Sequence, residues 1–206
     1  MMIRSLLACI AISLPLCASE AYSLVNPVPR EQMRPLATDR PDTTESPYTV
    51  DAGHFQVEAE VLSWGRSRAD DTTTKTWSSS ANLKVGLLTW MDLQAVIGWS
   101  KVSEESSGAE MTARGVDDFT MRLKMNMWGD DAGDTAGALM PFVTLPTHDS
   151  EFGSERHVTG GLIAPVSFTL PGEWSAALMV ELDIDRNLAD DGIPRCWCNR
   201  SRSATT

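Results

Sequence analysis

The sequence predicts an all-β protein, an antiparallel up-and-down outer-membrane β-barrel that is incomplete, with about seven strands present. Three observations predict it. Segments of roughly ten residues alternate apolar and polar side chains, the period of a strand with two unlike faces. Short turns and long polar stretches alternate between these segments, as expected of hairpins that face two different compartments. Tryptophans cluster at the segment ends, where a membrane interface places them.

Residues 1–23 read as an export signal. Arg4 supplies the positive region, Ile3 to Leu16 the apolar core, and Ala21-Tyr22-Ser23 a small-x-small cleavage site. Pro15 and the short apolar run argue against a membrane helix. Residues 24–52 carry Pro27, Pro29, Pro35, Pro41 and Pro47, which prevent any long regular element, so this stretch is expected to be a periplasmic lead-in. Residues 53–186 hold the barrel strands, and residues 187–206 form an atypical tail.

The strands follow in order. His54–Trp64 sets Phe55, Val57, Ala59 and Val61 against Gln56, Glu58 and Glu60. Trp77 to Trp99 is a hairpin: Trp77, Ala81, Leu83, Val85 and Leu87 share one face, and after the turn at Thr89–Asp92 the face resumes with Leu93, Ala95, Ile97 and Trp99. Asp118–Trp128 has the clearest alternation, with Phe119, Met121, Leu123, Met125 and Met127 outward. Thr135–Leu145 is less regular, and Pro141 there implies a bulge or a gap in the ladder. Gly160–Leu170 and Trp174–Asp185 complete the set. Gly65–Lys75, Lys101–Asp117 and Thr147–Thr159 are expected to be long outer loops.

If the apolar faces meet lipid, the polar faces line an aqueous lumen. Glu58, Glu60, Lys84, Arg122, Lys124, Glu181 and Asp183 are the lumen candidates, expected in separate acidic and basic sectors. Such a wall either selects permeants by charge or plugs the interior through cross-strand pairs. Trp64, Trp77 and Trp99 fall at the outer rim and Trp90, Trp128 and Trp174 at the inner one, although simple alternation puts Trp64 and Trp128 on the lumen phase. Outer-membrane lipid and the barrel assembly machinery are the expected partners. The net charge of −11 over 206 residues, with a pI near 4.6, removes a nucleic-acid footprint.

No catalytic residues, metal site or cofactor are expected. His148-Asp149-Ser150 has the residue types of a hydrolytic triad, but adjacency in a loop does not give triad geometry. His54 and His157 lie near opposite rims. Asp130, Asp131 and Asp134 lack the spacing of a calcium loop and suit a turn.

Four segments in fixed order carry a family resemblance: TDRPDTTESPYTVDAGHFQVEAE from Thr38 to Glu60, LKVGLLTWMDLQAVIGW, DDFTMRLKMNMWGDDAGDTAGALMPFVTLPT, and GGLIAPVSFTLPGEWSAALMVELD. Together they span Thr38 to Asp185. The chain resembles the outer-membrane transporters grouped under the meta-pathway of phenol degradation. That resemblance implies a Gram-negative outer-membrane location and uptake of aromatic or other poorly soluble small molecules. The alternative is a structural barrel or membrane-embedded hydrolase without a transport role.

The tail, GIPRCWCNRSRSATT, has no alternating decade and holds Cys196 and Cys198, whereas residues 24–195 contain no cysteine. A shifted or early-ending reading frame after about Asp191 is therefore expected. So are an open sheet between His54–Trp64 and Trp174–Asp185 and a tail without strand pairing.

Overall fold

A computed structural model describes residues 22–39, 44–106, 108–131, 133–152, 157–172, 174–185, 195–199 and 202–203. The proposed export signal lies outside these residues, apart from its last two positions. One curled antiparallel sheet dominates. Its strands are β1 (Phe55–Ala69), β2 (Thr72–Leu88), β3 (Met91–Ser106), β4 (Ala109–Val116), β5 (Phe119–Trp128), β6 (Thr135–Leu145), β7 (Thr159–Leu170), β8 (Trp174–Asp185), β9 (Arg195–Asn199) and β10 (Arg202–Ser203). They run in the order β1-β2-β3-β5-β6-β7-β8-β10, with β4 also on β3 and β9 also on β8. Among the described residues there is no α-helix, only two 3-10 turns at Arg30–Gln32 and Ser150–Phe152.

All seven expected strands are present, and the sheet is open. β1 pairs with β2 alone and makes no ladder with β8 among the described residues, so the fold is an incomplete barrel. The expectation for the tail does not hold: β9 pairs with Glu181–Asp185, and β10 with Ala177 and Leu178. The backbone edge of β8 presents free N–H and C=O groups, which template pairing without any need for an alternating sequence.

Two expected loops are also corrected. Gly65–Lys75 is not a loop but the upper half of the β1–β2 hairpin, closed at Asp70-Asp71 with Asp70 at φ 52. Lys101–Asp117 is likewise the top of β3 and the returning β4. β4 and β5 both pair with β3 and form one stave, broken at Asp117-Asp118, where the Asp117 N–H donates to the Gly98 carbonyl. These extensions escape periodicity because both of their faces are polar. Thr72, Thr73, Thr74 and Thr76 instead supply the β-branched preference for extended backbone.

Side chains segregate in the inverse of the usual globular pattern. Phe55 and Val61 on the outer face are 77% and 85% exposed, while Asp92, Gln94 and Lys124 on the inner face are 0% exposed. Leu83, Ile97, Leu162, Leu178, Val180 and Ile184 extend the outer apolar surface across the sheet. Two bulges correct the assignment of Trp64 and Trp128 to the lumen phase. One extra residue in β1 between Glu60 and Ser63 turns Trp64 outward, opposite Trp77. A second between Asn126 and Trp128 turns Trp128 over Gly137, where an added Cβ would meet the indole at 2.2 Å. Trp90, Trp99 and Trp174 are exposed as well.

Candidate functional site

The inner face of the sheet is occupied by the N-terminal segment. Its prolines block helix and ladder, so its polar backbone groups need partners elsewhere, and the inner strand faces supply them. The Leu24 N–H donates to the Leu87 carbonyl, and the Val28 N–H to the Ala52 carbonyl at 3.1 Å. His54 Nε2 lies 2.8 Å from the Val28 carbonyl. Gly86 makes the close approach at Asp51 possible, because a Cβ there would stand 2.0 Å from the Asp51 carbonyl oxygen. Val28, Pro47 and Ala52 of this segment are buried.

Asp39 is the centre of the site. Its carboxylate accepts from Lys84 Nζ and from Lys124 Nζ at 3.1 Å, and from the Ser46 N–H at 2.7 Å. Lys84 also reaches Glu58 at 2.6 Å, and Glu58 accepts from the Asp39 N–H and from Gln56. These groups are nearly dry: the side chains of Asp39, Lys84 and Lys124 are 2%, 3% and 0% exposed. Two ammoniums face these two carboxylates, with the buried Asp92 directly across from Lys124 on β3, so each buried lysine has an opposite charge beside it, the condition under which buried charges persist.

Burial opposes the charge on Asp39. Lys124 and Lys84, with donors from Lys84 and Ser46, outweigh that effect and hold its carboxyl well below the usual carboxylate range. A depressed carboxylate stabilises the fold above its unfolded pKa of about 3.9, and that stability is lost as pH falls toward the folded value. The unfolding free-energy difference between wild type and Asp39→Asn should therefore be constant from pH 7 to pH 5 and shrink below about pH 4. Thermal unfolding of both proteins across that range measures it. A difference that shrinks between pH 7 and pH 5 would contradict the assignment.

Further contacts fix the rest of the segment. Arg122 Nη1 meets Glu45 at 2.6 Å, and Asn126 Nδ2 donates to the Pro47 carbonyl at 2.9 Å. Val50 N–H donates to Asp92, which accepts from Gln94, which in turn accepts from Asn82 at 3.0 Å. Arg34 bridges Asp51 at 2.7 Å and Asp130 at 2.5 Å, tying the segment to the β5–β6 turn. Asp130 also accepts from the Thr49 N–H and hydroxyl. Beside this junction lies a recess of about 310 Å³ lined by Arg34, Leu36, Tyr48, Thr49 and Gly129.

Of the seven lumen candidates, Glu58, Lys84 and Lys124 therefore meet in one cluster, and Arg122 pairs with Glu45 within electrostatic reach of Glu181. Glu60 lies half-buried on the edge strand β1, and Glu181 and Asp183 lie half-buried beside one another on β8. The expected separation into acidic and basic sectors is not what forms at the centre, because Asp39 and Glu58 interleave with the two lysines. Asp39, Glu45, Asp51, Asp92 and Arg34 join the site although strand alternation does not single them out. The available signal is a demand for anions: Lys84 on β2 and Arg122 and Lys124 on β5, the two strands that flank β3, point inward, and the acid-rich lead-in is one source of partners.

His148 is held at Nδ1 by Asp118, 2.6 Å away, rather than by its neighbour Asp149. Asp149 accepts from the Val116 N–H instead. The triplet His148-Asp149-Ser150 is thus divided between two structural tasks at the loop base. Among the described residues no group of three or more His, Cys, Asp or Glu side chains is arranged to hold a metal ion.

Comparison with known proteins gives one family. The family model described as "Putative MetA-pathway of phenol degradation" matches residues 38–195, from the residue before Asp39 through β8. No curated protein and no solved structure matches the chain.

Proposed function

The chain belongs to the MetA-pathway phenol-degradation family, and on that premise we propose that it is an outer-membrane channel or uptake protein for poorly soluble small molecules, aromatic ones among them. It carries no catalytic machinery in this proposal, and its exported mature part sits in the outer membrane of a Gram-negative bacterium. The observation that carries the proposal is the inverted polarity. A protein with Phe55 and Val61 facing out and Lys124 and Gln94 fully enclosed suits lipid outside and a polar path within. No helix among the described residues is long and apolar enough to span a bilayer, so the strands would do so.

In this proposal residues 34–39 and 44–52 are a plug. They fill the path with neutralised ion pairs, and movement of this segment admits the permeant. The recess beside Arg34 and Tyr48 is the site where an apolar ring with one polar group would first be received. A second function is favoured by one specific observation: the central charges satisfy one another, as in barrels whose interior is simply filled.

Flux through proteoliposomes separates the two. Reconstituted full chain is expected to pass small phenols slowly, and variants with a loosened plug are expected to pass them about tenfold faster. If neither wild type nor plug variants raise flux above protein-free vesicles, the transport role is wrong and the filled structural barrel stands.

A further inference from the structure

Above the apolar surface the outer face of the sheet changes to cations, in a protein whose overall charge is strongly negative. The pairing registers set the rows. Trp64, Trp77, Lys101 and Arg114 lie side by side across β1 to β4. Two residues further up, on the same face, come Arg66 and Lys75. The next row brings Arg68, with Glu105 and Glu110. Five cations thus stand within three rows, a height of about 14 Å along the strands, against two carboxylates.

The cations are not consumed by the fold. Arg66, Arg68 and Arg114 are exposed and form no ion pair among the described residues. Lys75 makes only a loose, solvent-open approach to Glu105 at 3.7 Å. Lys101 sits over the Trp77 ring at 5.4 Å, which binds the ammonium to the aromatic row without neutralising it. The outer position of these rows follows from the chain path: eleven residues separate Trp77 from Leu88 at the opposite end of β2. A tilted strand of that length covers roughly the 25 Å apolar band of an outer-membrane barrel. The cations therefore begin where the apolar band ends.

We infer that the outer faces of the extended β1–β2 and β3–β4 hairpins bind the phosphate groups of the surrounding membrane glycolipid, with Arg66, Arg68, Lys75, Lys101 and Arg114 as the phosphate ligands. Guanidinium forks match phosphate oxygens, and exposed arginines gain most beside a fixed anionic layer. Glu105 and Glu110, beside Arg68 in the top row, mark the upper limit of the site. The inference rests on the outer-membrane placement proposed above, and its test keeps the two apart.

Full-length protein is reconstituted in phosphatidylcholine vesicles containing a trace of fluorescent lipid A, either bis-phosphorylated or dephosphorylated. Energy transfer from the tryptophans reports local enrichment. The bis-phosphorylated lipid should be enriched, the dephosphorylated one should not, and the preference should fall steeply between 50 mM and 500 mM salt. The triple variant Arg66→Gln, Arg68→Gln, Arg114→Gln should lose the preference by about a hundredfold while retaining insertion. If that variant does not fold, Arg66→Gln alone together with the salt titration of wild type decides. Equal enrichment of the two lipids, or a preference unchanged by salt, overturns the phosphate site and leaves the membrane placement intact. Failure to insert into phosphatidylcholine vesicles overturns both.

Discussion

Asp39→Ala is expected to lower the unfolding free energy by about 3–5 kcal/mol, the usual result of removing one member of a buried ion cluster. Lys84 would keep Glu58, while Lys124 would lose both of its Asp39 contacts and have Asp92, opposite it on β3, as its neighbouring anion. Lys124 and the Ser46 N–H would be left without their acceptor in a dry site, so the least costly escape is for the lead-in to leave the inner face and admit water. The variant should show thermal unfolding at a lower temperature and faster hydrogen exchange at the backbone of residues 44–52. It should also show the higher phenol flux described above. Asp39→Glu, which retains the charge but lengthens the side chain, should recover part of the stability. If Asp39→Ala unfolds at the wild-type temperature with unchanged exchange, the cluster does not hold the segment.

Gly86→Val attacks the same docking with no change of charge. The Cβ alone would stand 2.0 Å from the Asp51 carbonyl oxygen and 2.5 Å from the Val50 carbonyl oxygen. Backbone on the opposing side cannot rotate away, so the segment must lift as a whole. The Gly53 N–H bond to the Gly86 carbonyl, the reciprocal Gly86 N–H bond to the His54 carbonyl and the Val50 bond to Asp92 are the contacts at risk. A loss of about 1–3 kcal/mol is expected, with increased hydrogen exchange in residues 44–52, while the β2–β3 ladder keeps its protection. Uniform loss of protection across β2 and β3 would mean that Gly86 serves the sheet rather than the seat of the lead-in. Because the two variants act through unlike physics, a shared flux phenotype would point to the position of the segment itself.

The fold was legible in this sequence where one face of a strand is apolar and the other polar. Phe119 to Met125 and Val180 to Asp185 announce their strands because apolar and polar residues alternate there without interruption. The same rule could not see residues 65–75 or 101–117, because strands wetted on both faces carry no hydrophobic period. Bulges were invisible for a related reason. One inserted residue at Val61-Leu62 shifts the phase of every later side chain in β1, and only the backbone register records it.

The inward charges on β1, β2 and β5 could be named from alternation alone, but their partners could not. Asp39 and Glu45 lie in a proline-rich stretch without period, and no local rule gives the path of such a segment across a sheet. What the sequence does contain is the chemical demand for them: three cations, Lys84 on β2 and Arg122 and Lys124 on β5, placed on the enclosed side of the two staves that flank β3.

Single-cysteine variants of the full chain, labelled with an environment-sensitive fluorophore and challenged with nitroxide-bearing lipid in proteoliposomes, test the central claim most directly. Cysteines at Leu178, Val180 and Leu83 should be quenched by the lipid nitroxide and unaffected by a water-soluble quencher. Cysteines at Ser175, Ala177 and Arg122 should show no lipid quenching and gain access to the aqueous quencher when Asp39→Ala is added. Lipid quenching at Ser175, Ala177 and Arg122, with water access at Leu178, Val180 and Leu83, would contradict an inside-out sheet in the membrane closed by its own N-terminal segment.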